Sequence, residues 1–73
     1  MSTEAAETTF TAAELAACAE REIAQRRMVY ARRVAEGKMK QEFADRQIAM
    51  MLAIAAHFHA EVAKNPQASG ALL

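Results

Sequence analysis

Residues 34–43 read VAEGKMKQEF, and this short stretch decides the fold. Gly37 is the first helix breaker after a long segment rich in Ala, Glu and Arg, and glycine suits the left-handed position that follows a helix C-terminus. A second helix-forming segment starts only three or four residues later. Two long helices with so short a connection must fold back on each other, so the sequence predicts an antiparallel αα-hairpin.

The first helix has a strong start signal at Thr11. Thr11 and Glu14 have the spacing of a capping box, and Phe10 and Leu15 stand at the two positions of a hydrophobic staple. No breaker follows before the glycine turn. The first helix is therefore expected over residues 12–36, with a length of roughly 37 Å at 1.5 Å per residue.

The second helix has a weaker start and a clear end. Lys40 stands where Ser or Thr would make a better N-cap, whereas Asn65-Pro66 ends the helix because proline cannot continue it. This helix is expected over residues 40–64, which makes the chain all-α. The expected division is a flexible N-terminal tail over 1–10, a helical hairpin over 11–65 and a C-terminal tail over 66–73.

Composition and charge indicate one small domain without disulfides. The 73 residues are 53% hydrophobic and 25% charged, carry no net charge and include a single cysteine, Cys18. We expect Cys18 to be a small buried hydrophobe in a protein of the reducing cytoplasm. The longest uncharged run, residues 48–60, is shorter than the roughly 20 apolar residues that span a bilayer, and no signal peptide opens the chain. No membrane partner is expected.

The apolar surface of the second helix predicts self-association. The first helix has one apolar stripe, but apolar residues cover more than half of the second helix, and one partner helix covers only one stripe. Two hairpins that pack with their second helices in the centre would form a homo-oligomeric bundle, with higher oligomers as an extension. The alternative is a monomer that tolerates exposed Met and Leu. The predicted oligomer interface comprises Ile48, Ala49, Met51, Leu52, Ala53, Ala56, Phe58 and Ala60.

The residue types that carry common enzyme chemistry are missing from the sequence. There is no glycine-rich phosphate loop, no CxxC pair and no HExxH motif. His57 and His59 project about 200° apart on a helix, so they cannot share a metal ion within one chain. We therefore expect a non-enzyme without catalytic residues, a metal or a cofactor.

An arginine cluster around one tyrosine is the candidate ligand site. Residues 21–33 carry five Arg against one Glu, and Arg26, Arg27 and Arg33 all lie three or four positions from Tyr30, on neighbouring helical surface. Guanidinium groups bind phosphate in a bidentate manner, and a tyrosine ring can stack on a base. The pattern predicts a site for a small anionic, nucleotide-like ligand.

The surroundings of the cluster leave a second interpretation open. Arg27 is expected within the apolar stripe, where an unpaired charge is costly, so it needs an anion from a ligand or from Glu20 of another copy. Alternatively, Glu20, Glu22 and Glu36 neutralise the arginines in inter-helix salt bridges and Tyr30 is a core residue. Extended duplex nucleic acid is an unfavourable partner for a chain without net charge, because such binding requires many neutralised phosphates.

Residues 20–39 follow the pattern ERE-I-x-x-RR-x-VY-x-R-x-V-x-x-G-K-M. With this pattern, about residues 14–56 of the chain resemble small uncharacterised proteins encoded by tailed phages and prophages of proteobacteria. This chain has Ala31 where the similar proteins often have Pro, and Lys40 where they have Ser or Thr. The matching positions are Glu20, Arg21, Glu22, Ile23, Arg27, Val29, Tyr30, Val34, Gly37, Met39, Ala44, Asp45 and Ile48.

The resemblance implies a phage accessory protein that acts by binding in the cytoplasm of a bacterial host. Some phage accessory proteins inhibit host enzymes or defence complexes, and those of other families sequester nucleotide signals between helical subunits. The leading hypothesis is a counter-defence or host-takeover protein that sequesters a nucleotide-like ligand at the arginine cluster. The alternatives are a protein–protein inhibitor of a host protein and a nucleic-acid-binding accessory factor.

Overall fold

A computed structural model describes residues 9–64 of the chain as two α-helices joined by a five-residue turn. Helix α1 comprises Ala12–Ala35 and helix α2 comprises Gln41–Lys64, each with 24 residues. The two helices pack against each other, which confirms the predicted helical hairpin. Each helix is one residue shorter at the turn than expected. The predicted tails lie almost wholly outside the described residues, which exclude 1–8 and 65–73.

The start of α1 is fixed by the predicted capping box. The backbone N–H of Glu14 donates to Thr11 Oγ1 at 3.0 Å, and the backbone N–H of Thr11 donates to Glu14 Oε1 at 2.8 Å. Two backbone donors that have no partner within the helix are thereby satisfied. The local sequence alone therefore sets where α1 begins.

The end of α1 is a left-handed turn at Gly37. Gly37 has φ +76°, and its N–H donates to the carbonyl of Val34 at 3.0 Å. The N–H of Lys38 reaches the carbonyl of Arg33 at 2.8 Å, which completes a Schellman motif. This pair of hydrogen bonds reverses the chain and brings α2 back along α1.

The seam between the helices follows a repeat of alternating four- and three-residue steps. The least exposed positions on α1 and α2 recur with this spacing, which keeps one stripe of each helix in contact with its neighbour. Ala19 and Ile23 pack against Ala55 and Met51 at its centre. The α1 series is Ala12, Ala16, Ala19, Ile23, Arg26 and Tyr30, and the α2 series is Ala44, Ile48, Met51, Ala55, Phe58 and Val62.

The seam is narrow because most of its buried residues are small. Among the described residues, only four alanines and Ile23 are buried. Cys18 is exposed, so the expectation of a buried thiol was wrong. Its position one residue before Ala19 turns it about 100° away from the seam. Much of the large apolar surface of α2 is thus left outside the hairpin core.

Candidate functional site

A groove of about 530 Å³ runs along one side of the seam near the turn, and we call it the Arg27 groove. Arg27 and Tyr30 contribute to it from α1, and Gln41 and Asp45 contribute from the first turns of α2. Apolar residues complete its walls: Ala31, Val34, Ile48, Ala49 and Leu52. The groove therefore combines a cation, a carboxylate and an amide on a mostly apolar floor.

Arg27 lies on the rim of this groove and not within the apolar seam. Its side chain is exposed, so the expectation that its charge lies in the apolar stripe was wrong. The seam position belongs to its neighbour Arg26, which is half-buried, and one residue of helix turns Arg27 about 100° to the groove side. Within residues 9–64, Arg27 forms no ion pair. Among the described residues, its exposed guanidinium thus has no carboxylate partner.

Arg26 is engaged within its own helix. Its Nε donates to Glu22 Oε2 at 2.7 Å, and this hydrogen bond is the main reason that the pKa of Arg26 lies above its ordinary value. The Tyr30 side chain adds a smaller effect in the same direction. Tyr30 itself is half-buried between the seam and the groove. Glu22 thus neutralises Arg26, but within α1 and not in the inter-helix salt bridge that the alternative expected.

The other arginine and glutamates of the cluster have separate surroundings. Arg33 is exposed in the last turn of α1, where a cation is favourable to the helix dipole, and it does not line the Arg27 groove. Glu36 Oε1 lies 3.7 Å from Lys38 Nζ. Glu20 Oε2 lies 2.9 Å from Nε2 of His59 on α2. The groove thus receives Arg27 and Tyr30 of the four predicted ligand residues, and neither Arg26 nor Arg33.

An amide and a carboxylate on α2 form the opposite wall of the groove, and the sequence reasoning did not select them. Gln41 Nε2 donates to Asp45 Oδ1 at 2.9 Å, one helical turn along α2. Asp45 does not pair with Arg27, although both line the groove. That Arg27 and Asp45 line the same groove depends on the register of the two helices, which the hairpin prediction did not specify.

No protein-family profile, curated protein or solved structure matches this chain. Within residues 9–64, neither helix carries an apolar stretch long enough to cross a membrane. Over the same residues, no three His, Cys, Asp or Glu side chains lie close enough together to hold a metal ion. The properties of the site therefore have to be argued from its own geometry.

The residues predicted for an oligomer interface fall into two groups in the single hairpin. Three of them belong to the seam: Met51 packs on the hairpin core, and Ile48 and Phe58 are half-buried. The others, Ala49, Leu52, Ala53, Ala56 and Ala60, are exposed. Leu52 is the one large side chain among these exposed residues, and it borders the Arg27 groove.

Proposed function

We propose that the protein is a non-enzymatic, homo-oligomeric binding protein that sequesters a nucleotide-like anion in the Arg27 groove. The observation that carries the proposal is the exposed guanidinium of Arg27, which forms no ion pair within residues 9–64 and lines the same groove as Tyr30. An exposed arginine beside a half-buried aromatic ring suits a phosphate that is attached to a planar group.

The groups on the opposite wall of the groove would orient a ligand whose phosphate lies at Arg27. The Asp45 carboxylate accepts hydrogen bonds, and the Gln41 amide both donates and accepts them. These groups suit the exocyclic amino group or ring N–H of a base, or the hydroxyls of a sugar. A ligand with phosphate at Arg27 and donors at Asp45 matches both walls, whereas inorganic phosphate matches only the first. The groove thus favours a nucleotide over a simple anion.

The biological setting of the proposal comes from the resemblance to small phage proteins. A phage accessory protein that removes a nucleotide signal from solution needs affinity and abundance but no turnover. A helical hairpin with a preformed groove can meet this need without a catalytic group. The proposed role in counter-defence or host takeover rests on this resemblance.

Calorimetric titration with a panel of mono-, di- and cyclic nucleotides tests the proposal directly. A matching nucleotide is expected to bind at a fixed ratio per chain and to raise the melting temperature, since a ligand at 100 times its Kd stabilises the folded state by about 2.7 kcal/mol. Arg27→Ala is expected to weaken binding by about tenfold or more, because it removes charge-assisted hydrogen bonds.

Arg32→Ala is the matched control for the loss of charge. Arg32 is exposed on the same helix and does not line the groove, so its substitution is expected to change affinity less than twofold. Tyr30→Phe keeps the aromatic ring and removes the hydroxyl, so it separates the contribution of ring stacking to affinity from that of the hydroxyl. The proposal fails if no nucleotide binds, or if the Arg27 and Arg32 variants bind equally well.

A second candidate function, inhibition of a host protein, is favoured by the outer surface of α1. Met28 is 74% exposed, the largest exposure among the large apolar side chains of the described residues. Arg21 and Arg32 lie on the same outer side, and both are exposed. A protruding methionine between cations suits an acidic, amphipathic partner segment. Binding of such a peptide that is lost in Met28→Asp, with no response to nucleotides, would favour inhibition over sequestration.

A further inference from the structure

A stripe of bulky residues lies on α2 on the opposite side of the seam from the Arg27 groove, and we call it the bulky stripe. Phe43, Met50 and Ile54 form its apolar part, and each is 45 to 51% exposed. Each stripe position precedes a seam position of α2 by one residue, so the stripe is turned about 100° from the seam. The complete series, with alternating four- and three-residue steps, is Phe43, Gln47, Met50, Ile54, His57 and Glu61.

This spacing is that of a second helix–helix seam. A four–three repeat of apolar residues keeps one face of a helix turned toward a partner helix over several turns. Helix α2 therefore carries two such faces, of which α1 covers only one. The covered face buries Ala44 and Ala55, whereas the bulky stripe presents larger side chains to solvent. An uncovered face of this composition marks an interface.

The parts of the chain outside the described residues have too few large apolar side chains to cover the stripe. Residues 1–8 contain Met1 as their only large apolar residue, and residues 65–73 contain Leu72 and Leu73 at the very end. Neither segment offers a four–three apolar pattern of its own. A second copy of α2 offers a pattern of matching length and spacing.

We propose that the bulky stripe is the surface that binds a second copy of this chain, with the two α2 helices packed antiparallel about a two-fold axis. The proposal rests on the self-association included in the proposed function but not on ligand binding. In this arrangement Met50 lies opposite Ile54 of the second copy, and a two-fold axis repeats that contact. Met50 and Ile54 thus meet at the centre of the interface, whereas Phe43 lies at each end of it.

The polar residues of the stripe have complementary partners in this orientation. Gln47 lies opposite His57 of the second copy, and the two side chains can exchange a hydrogen bond. The same register places Phe43 opposite Glu61 of the second copy, with Arg46 less than one helical turn along α2 from Phe43. Glu61 Oε2 lies 3.6 Å from Lys64 Nζ of its own chain, so Arg46 would join this ion pair as a second cation. Parallel packing would instead place Arg46 beside Arg46 and Glu61 beside Glu61. The antiparallel orientation thus avoids these two like-charge pairs.

The dimer and the Arg27 groove use different sides of α2. The α2 residues that line the groove each follow a seam position by one residue: Asp45, Ala49 and Leu52. The residues of the bulky stripe each precede a seam position by one residue. Packing on the bulky stripe therefore leaves the groove open. Loss of the dimer and loss of ligand binding can be measured independently.

Sedimentation equilibrium of the full chain, with the Met50→Glu variant, is the first test. The wild type is expected to be a dimer at micromolar concentration. Met50→Glu is expected to raise the dissociation constant by about 100-fold or more, since it places two unpaired charges at the centre of the interface. Met28→Glu introduces the same charge on the outer surface of α1, and it should leave the dimer intact.

Charge reversal and cross-linking test the orientation without loss of the apolar contact. Arg46→Glu and Glu61→Arg are each expected to weaken the dimer about threefold to tenfold, and the double variant should recover most of this loss. In a Cys18→Ser background, Met50→Cys mixed with Ile54→Cys should give an oxidised heterodimer in preference to either homodimer. Disulfide geometry requires Cα atoms about 4.4–6.8 Å apart, so a parallel pair cannot give this pattern.

Three results would overturn the proposal in distinguishable ways. A dimer that is unchanged in Met50→Glu places the interface elsewhere and leaves self-association intact. A monomeric wild type removes both the interface and the self-association in the proposed function. A monomeric wild type that Met50→Glu destabilises at every concentration assigns the stripe to contacts within one chain and removes the interface. Nucleotide titration with Arg27→Ala reports on ligand binding in each case.

Discussion

Truncation of Ile23 is expected to remove a large part of the stability of the hairpin. Ile23 is 4% exposed, and it packs with Ala19, Ala55 and Met51 at the centre of the seam. The other buried residues within 9–64 are alanines, so Ile23 is the largest buried side chain of the described core. The substitutions Ile23→Val and Ile23→Ala shorten it in two steps.

The expected cost follows from the number of carbons removed. Ile23→Ala deletes three buried carbons, each worth about 0.8 kcal/mol in transfer free energy. The cavity left between two alanine-rich helices adds to this, so the free energy of unfolding should fall by about 3 kcal/mol per chain. Ile23→Val deletes one carbon and should cost about 1 kcal/mol. The melting temperature should fall by about 4–8 °C per kcal/mol.

Thermal and urea unfolding followed by circular dichroism at fixed chain concentration measures these changes. Met28→Ala is the matched control, because Met28 is five residues further along the same helix and is 74% exposed. Both residues in that substitution are good helix formers, so its effect should stay within about 0.5 kcal/mol. The assigned core is refuted if Ile23→Ala costs no more than Met28→Ala, or if the two steps at Ile23 are not graded.

Three further substitutions test the seam, the turn and the cap by the same unfolding measurements. Ala55→Leu should cost about 1–3 kcal/mol by overpacking the seam, whereas Ala56→Leu, at the next and exposed position, should be nearly neutral; equal costs would contradict the seam. Gly37→Ala should lower the free energy of unfolding by about 1–2 kcal/mol. The cost comes from the positive φ alone, since an added Cβ meets no atom within 4 Å, and a neutral result would refute the left-handed turn. Thr11→Ala removes the oxygen that accepts from the Glu14 N–H and should lower stability by about 1 kcal/mol, so an unchanged melting temperature would argue against the cap.

The hairpin was predictable because local chemistry fixes its ends. Thr11 and Glu14 satisfy backbone groups within one helical turn, and Gly37 relieves the strain of a left-handed residue, so neither signal depends on distant contacts. The start of α2 lacks such a signal, and there the predicted boundary was one residue early. The end of α1, which has the glycine signal, was placed one residue too late, so local signals in the sequence located these helix ends to within one residue.

The facing of side chains was harder to predict because it depends on the rotation and register of two helices. Arg26 and Arg27 are adjacent in sequence, yet one is half-buried in the seam and the other lies on the groove rim. The pairing of Glu20 with His59 joins residues 39 positions apart, so it depends on how the helices align. Because apolar residues cover more than half of α2, the sequence pattern does not determine which face of α2 packs against α1.

The five-residue turn has a mechanical consequence. Since α1 and α2 are equally long, Thr9 and Lys64 lie at one end of the hairpin, and Gly37 lies at the other. A force that pulls Thr9 and Lys64 apart therefore separates the helices from that end. The pairs of contacting seam residues then break one after another and not all at once. The first pairs to open hold small or half-buried residues, so the hairpin should yield at low force from its open end.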